Sequence, residues 1–278
     1  MFKIGIMQGR LLPWYKNNYQ SHPVNFWQSE FYIAKELGFY CIEFILDYNE
    51  ANKNPLLNKS GLKEIDYLSK TTQVKVNSIC ADYFMKAPFH SEHQLNSEKM
   101  LINLIKHASV INIKDIVIPC VDESSLKTNE HFDMLYKSLV KILPFAEDEN
   151  ININIEADLN PKTFKDFIHR FKSKNIKVNY DSGNSSSQGY DIYEEFKEYG
   201  AYISDVHIKD RKLNGESVNL GEGDANIRGL IKLLDEYNLT NCLIMQASRS
   251  RDYITDLQGL FKQKKYLDDI ILRINDDQ

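Results

Sequence analysis

Short runs rich in apolar and β-branched residues alternate with longer amphipathic stretches along the whole chain. The runs lie near 2–8, 40–46, 74–80, 114–119, 151–157, 176–181, 202–208 and 241–246, and they predict eight strands. Between them, apolar residues recur at the i, i+3, i+4, i+7 spacing of a helix buried on one face. In 129–149 these are Phe132, Leu135, Tyr136, Leu139 and Leu143, and Pro144 is expected to kink the last turn. The segment 226–237 offers Ile227, Leu230, Ile231 and Leu234, and Leu257, Leu260, Phe261, Leu267 and Ile271 predict a closing helix. Asn160-Pro161 reads as an N-cap followed by proline at the first helical position, and Asp224 as the cap after Gly221-Glu222-Gly223. Gly38 and Gly200 each follow a helical run, where a left-handed residue ends a helix.

Strand–helix alternation with no Pro-, Gly- or Ser-rich linker predicts a single α/β domain over 1–278, a (β/α)8 barrel. A doubly wound open sheet would carry a glycine-rich dinucleotide turn after the first strand. Here that turn reads Gln8-Gly9-Arg10-Leu11-Leu12-Pro13, which has no such spacing.

Composition narrows the function classes. Hydrophobic residues at 42% and charged residues at 26% are ordinary for a globular domain, and a chain of 278 residues needs no covalent staple. The formal charge of −5, without a Lys/Arg block, argues against a nucleic-acid partner. No apolar run approaches the roughly 20 residues of a membrane span. The N-terminus reads as a first strand rather than a signal peptide. Cys41, Cys80, Cys120 and Cys242 lie in apolar runs without CxxC spacing, so buried reduced thiols and a cytoplasmic location are expected.

Candidate chemistry comes from strands that break the apolar pattern. Strands covered on both faces usually read as continuous apolar runs. Three strands here instead carry polar residues in phase: Asn152, Asn154 and Glu156; Lys177, Asn179 and Asp181; Asp205, His207 and Lys209. Their apolar faces must meet the helices, so the polar faces point into the barrel, where unpaired polarity is costly. Active sites of such barrels lie at the C-terminal strand ends. Glu156, Asp181, His207 and Gln246 occupy those ends on strands five to eight. Two carboxylates, an imidazole and an amide oxygen suit a divalent ion such as Mn, Mg, Co or Zn.

The stretches Gly5-Ile6-Met7-Gln8-Gly9-Arg10, Ile155-Glu156-Ala157-Asp158-Leu159, Tyr180-Asp181-Ser182-Gly183-Asn184 and Val206-His207-Ile208-Lys209-Asp210-Arg211 resemble the xylose isomerase-like TIM-barrel superfamily, as does Leu220-Gly221-Glu222-Gly223-Asp224. This superfamily contains sugar and sugar-phosphate isomerases and epimerases related to tagatose epimerase. The resemblance implies Glu156, Asp181 and His207 as metal ligands with position 246 as the fourth, and Arg211 as a substrate contact. It also implies a small sugar or sugar phosphate as substrate; a homodimer is a candidate assembly that the sequence leaves open. Two positions depart from the pattern. The family usually has Glu where this chain has Gln246, and often His where it has Asn184. Two glutamates flank the substrate in the family, one removing a proton and the other returning one. An amide cannot do this, so Glu156 is the expected base and Gln246 a ligand or hydroxyl contact.

Further expectations concern the surroundings. Arg10, Lys209, Arg249 and Arg251 follow strands one, seven and eight, and Gly221 and Gly223 precede Asp224, all at places where such barrels bind phosphate. Asn184, Glu43 and Asp82 are candidate pocket residues, and Trp14, Trp27, Tyr83 and Phe84 candidate walls of a sugar site. The competing readings are a metal-dependent dehydratase of a keto-sugar or cyclitol and a non-catalytic sugar-binding barrel that has lost its second glutamate. A nuclease of the endonuclease IV kind needs a zinc cluster and several further histidines, and the acidic charge also argues against it.

Overall fold

The computed structural model describes residues 2–239 and 242–276. Eight parallel strands close into a barrel: β1 (Lys3–Met7), β2 (Cys41–Ile45), β3 (Ser78–Cys80), β4 (Asp115–Cys120), β5 (Asn152–Ala157), β6 (Ile176–Asp181), β7 (Ile203–Ile208) and, after a small hairpin of β8 (Asp210–Arg211) and β9 (Ser217–Val218), β10 (Cys242–Met245). Each barrel strand pairs with its sequence neighbours, and β1 pairs with β10 to close the ring. The expected α/β barrel is therefore observed. The third strand is shorter than 74–80 predicts, because Lys75 makes only an isolated bridge to Cys41. Residue 241, expected to begin the last strand, lies outside the described residues.

Alternation along the strands builds two cores. Outward residues such as Ile6, Phe44, Ile79, Ile118, Ile155, Val206 and Leu243 join the helices in one large buried cluster. Burying each such side chain contributes roughly 1.5–3 kcal/mol before ordering costs. Met7, Cys41, Ile45, Cys80, Val117 and Ile244 form a second, smaller cluster. On β5–β7 the positions with the same alternation are polar. Asp115 gathers the lowest of them, accepting from Asn152 Nδ2 (3.0 Å), Asn154 Nδ2 (2.9 Å) and Ser204 Oγ (2.6 Å).

Several local expectations are met and others corrected. Asn160 accepts from Thr163 N, with Pro161 opening the helix Pro161–Ile168. Gly38 is left-handed (φ 71°) after the helix Gln28–Glu36. Gly200 is not: its φ of −52° is right-handed, and it opens a short turn, Gly200–Tyr202. The helix Asn129–Asp148 runs through Pro144 to its end, with Leu143 and Ala146 buried on either side of the proline. Asn226, not Asp224, caps the helix Ile227–Glu236, because Asp224 accepts from Leu213 N in the preceding hairpin. In the closing helix Tyr253–Asp276, Leu260, Leu267 and Ile271 are buried, whereas Phe261 is 59% exposed.

Candidate active site

The strand ends bring Glu156, Asp181 and His207 together. Asp181 and His207 are register partners on β6 and β7, and Glu156 stands on the adjoining β5. One ligand atom from each lies within 4.8 Å of the others. His207 Nδ1 is 3.6 Å from Glu156 Oε2 and 3.9 Å from Asp181 Oδ2.

Each side chain is oriented from behind. His207 Nε2 is 2.8 Å from Glu43 Oε1, and Glu43 also accepts from Ser78 Oγ. A carboxylate on Nε2 fixes the proton there and leaves Nδ1 as an acceptor facing Glu156 and Asp181. Asp181 turns Oδ1 to the backbone N–H groups of Gly183 (2.9 Å) and Asn184 (2.8 Å), capping the helix Ser182–Gln188. Its Oδ2 is buried without a hydrogen-bond partner. Glu156 accepts from Asn184 Nδ2 (2.6 Å) and Asn179 Nδ2 (3.0 Å). The same Asn179 nitrogen is 3.0 Å from His207 Nδ1, so two acceptors converge on one donor group. Burial, and then the neighbouring Asp181, pushes the Glu156 carboxyl up to about 7.

These observations fit a divalent cation. An unpartnered carboxylate oxygen, an imidazole lone pair and a second carboxylate share one buried point, and cations relieve such a set. Glu43, Asp205 and His207 form a second group within the same span. Glu43, fully buried, is the partner of the imidazole, and Asp205 sits two residues below His207 toward the barrel floor. The Asp205 carboxyl is held well above the usual range by burial and by Glu43. The upper group stands at the C-terminal strand ends, where active sites of such barrels lie.

The other predicted residues divide. Asn184 ties Glu156 to the β7 side: its Oδ1 accepts from Arg211 Nη1 (3.2 Å) and Lys209 Nζ (3.5 Å). Lys209 Nζ is 3.9 Å from Asp181 Oδ2. Gln246, at the β10 tip beside β7, leaves Oε1 buried without a partner, while its Nε2 donates to Gln20 Oε1 at 3.0 Å. Asp82 stands at the β3 tip and lines a cavity of about 480 Å³ with Gln20, His22, Asp47 and Tyr48. Glu43 lies beneath the site, not on its wall. Arg249 is engaged within the chain, donating to Asp256 (2.9 Å), Tyr19 O (3.3 Å) and Leu12 O (2.5 Å). Arg10 likewise donates to Ala247 O (3.0 Å), Tyr19 O (3.3 Å) and Gln20 (2.9 Å). Arg251 lies over the Trp14 ring.

The glycine loop expected to bind an external anion already holds an internal one. Gly221 N, Gly223 N and Ala225 N donate to the Asp210 carboxylate at 2.9–3.0 Å. A Cβ at Gly223 would meet Asp210 Oδ1 at 1.9 Å, so glycine is required there. Trp27 and Phe84 belong to the core, Tyr83 is nearly buried, and Trp14 bonds Ser250 O. Cys80 and Cys120 are buried thiols with acidity suppressed by burial, unsuited to nucleophilic attack.

Sequence reasoning passed over Asn179 as a site group, although its strand parity placed it inward. It also missed Gln20 and Asp47, which stand on loops without periodicity.

A family model described as "Xylose isomerase-like TIM barrel" matches residues 31–268, and the chain belongs to that family. An uncharacterized protein of Methanocaldococcus jannaschii is 24% identical over 151 residues, and the chain spans about half the length of this curated relative. Two solved structures share the fold. D-psicose 3-epimerase of Clostridium cellulolyticum H10, crystallised with D-tagatose, superposes with a TM-score of 0.76 at 11% identity, covering 97% of this chain and 99% of that one. The IOLI protein, solved with a bound zinc atom, gives 0.74 at 16% identity, covering 98% and 99%. Among the described residues, no helix is long and apolar enough to cross a membrane.

Proposed function

We propose that this protein is a divalent-metal-dependent isomerase or epimerase of a small sugar or sugar phosphate, acting through an enediolate with Glu156 as base. The observation that carries the reading is the convergence of Glu156, Asp181 and His207, each oriented from behind, with Asp181 Oδ2 left without a partner. Similarity to proteins described as a sugar epimerase and as zinc-binding supports it.

Asp181 and His207 would hold the ion with Glu156, and Gln246 Oε1 offers a further oxygen. Mn, Mg, Co and Zn all suit this set. The ion, when bound, supplies Lewis acidity that polarises a carbonyl. Glu156, steadied by Asn184 and Asn179, takes the proton from the carbon beside that carbonyl. Its carboxylate, buried at the end of β5 and held by two amide donors, stands where a general base is needed. Asn184, Lys209 and Arg211 place donors and cationic charge beside Glu156, where hydroxyls and a developing oxyanion are favoured.

The test is interconversion of ketoses and aldoses, free and phosphorylated, by metal-loaded protein. Turnover is expected to stop with a chelator, and to fall by about 100-fold or more in Glu156→Gln. No turnover across such a panel by metal-loaded protein would overturn the reading.

A further inference from the structure

Gln246 leaves the site with one base on the β5 side and an amide where a second base would act. A two-faced reaction, in which a proton leaves one side of a carbon and another arrives on the opposite side, needs a second titratable group at the mouth. We propose that Asp82 is that group, a second catalytic acid that returns a proton to the substrate face turned away from Glu156. The inference rests on the isomerase/epimerase reading above and deepens it.

The placement is geometric. In the ring order β1-β10-β7-β6-β5-β4-β3-β2, one strand separates β3 from β5, and two separate β3 from β10 and β10 from β5. Asp82, Glu156 and Gln246 therefore divide the mouth into three sectors. Gln20 spans two of them. Its Nε2 donates to Asp82 Oδ2 at 2.9 Å, and its Oε1 accepts from Gln246 Nε2 at 3.0 Å and Arg10 Nη2 at 2.9 Å. Asp82 is thus two hydrogen bonds from the position where the family's second glutamate would stand.

Asp82 is free for this work. It precedes the short helix Tyr83–Lys86 without making a side-chain cap. Its oxygens accept from an amide and from the Cys80 thiol (3.2 Å), both neutral donors. It is half-buried at the edge of the cavity of about 480 Å³, a volume in the range of small-molecule sites. Other acids near the mouth have partners of their own: Glu43 holds the imidazole, Asp47 accepts from His22 N at 2.7 Å, Asp181 caps a helix, and Asp158 accepts from Ser125 on the β5 side. Burial raises the Asp82 carboxyl, which helps it hold a proton for delivery.

The step balances. Glu156 removes the proton, and the C–H electron pair becomes the carbon–carbon double bond of the enediolate. Protonated Asp82 then delivers its proton to the opposite face of the same carbon, and the pair forms the new C–H bond. Glu156 ends protonated and Asp82 ionised, and proton exchange with solvent resets both.

The experiment uses Mn²⁺-loaded protein, D-fructose, D-tagatose and D-psicose, and D₂O as solvent. Deuterium entering the starting ketose and deuterium in its epimer are measured separately by NMR. In the wild type both are expected. In Asp82→Asn, with unchanged thermal stability, wash-in from the Glu156 face should stay within about tenfold while epimer formation falls by about 100-fold or more. Asp82→Glu, which keeps the acid, should recover part of it, and Glu156→Gln should lose both signals. Equal epimer formation in wild type and Asp82→Asn overturns the inference alone. Wild type that neither exchanges deuterium nor converts any of these ketoses, their phosphates or the corresponding aldoses overturns the isomerase/epimerase reading as well.

Discussion

The β5–β7 wall and the β1–β3 wall face the same mouth but supply their polar groups by different means. On β5–β7 the strands themselves carry Glu156, Asp181 and His207, with Asn154, Asn179 and Asp205 in the layer below. On β1–β3 the inward positions include Met7, Cys41, Ile45 and Cys80, and Glu43 and Ser78 turn toward His207 from below. The polar groups at that side of the mouth, Gln20, His22, Asp47 and Asp82, come from loops. Register fixes strand-borne groups, whereas individual turn and side-chain hydrogen bonds hold loop-borne ones. On the proposed reading the first wall would hold the metal and the second would admit the substrate.

The largest expected effect separates stability from site. Phe31, fully buried against Trp27 and Phe44, supports the loop-bearing wall. Phe31→Ala should cost about 3–5 kcal/mol in urea unfolding and leave metal affinity unchanged. Equal damage to metal binding would mean that the two walls are not independent.

The next effect lies on the other wall. Glu43→Gln keeps the shape but weakens the hold on His207 Nε2, and should lower metal affinity by about 10–100-fold with the fold intact. Unchanged affinity in a calorimetric titration would remove Glu43 from its positioning role.

A pH-dependent effect tests how the β1 loop is anchored. Glu30 is fully buried, receives Gly9 N at 2.6 Å, and is pushed by burial to about 8. The unfolded carboxyl titrates near about 4.3, so between these values the native state keeps a proton that the unfolded chain has released. This group therefore favours the fold most at acid pH, and its contribution falls as pH rises to about 8, by up to about 1.4 kcal/mol per unit. Glu30→Gln should flatten that slope between pH 5 and 8. An unchanged slope would mean that other groups cause it.

The smallest effect is Asn160→Ala, which removes a cap on the helical shell and should cost about 1 kcal/mol without altering metal binding.

The strand-borne wall was legible because side-chain parity is rigid: Ile153, Ile155, Val178 and Val206 outward forces Asn154, Glu156, Asn179 and His207 inward. The loop-borne wall was not. Gln20 stands among residues 14–22, where no period assigns a direction, and its place follows from bonds to Arg10, Gln246 and Asp82 that are distant in sequence. The Asp210 carboxylate filling the Gly221–Gly223 loop was hidden for the same reason. Arg249 read as a phosphate contact because sequence shows a cation at a loop but not the Asp256 and carbonyl oxygens that surround it.

The proposed function requires Glu156, Asp181 and His207 to hold one divalent ion. Titrating purified metal-free protein with Mn²⁺, followed by calorimetry, tests it most directly. One ion per chain is expected in the wild type and in Asp82→Asn, with affinity lost by about 100-fold or more in Asp181→Asn and His207→Ala. A wild type that binds none of Mn, Mg, Co or Zn, or an Asp181→Asn variant that binds as tightly as wild type, would contradict it.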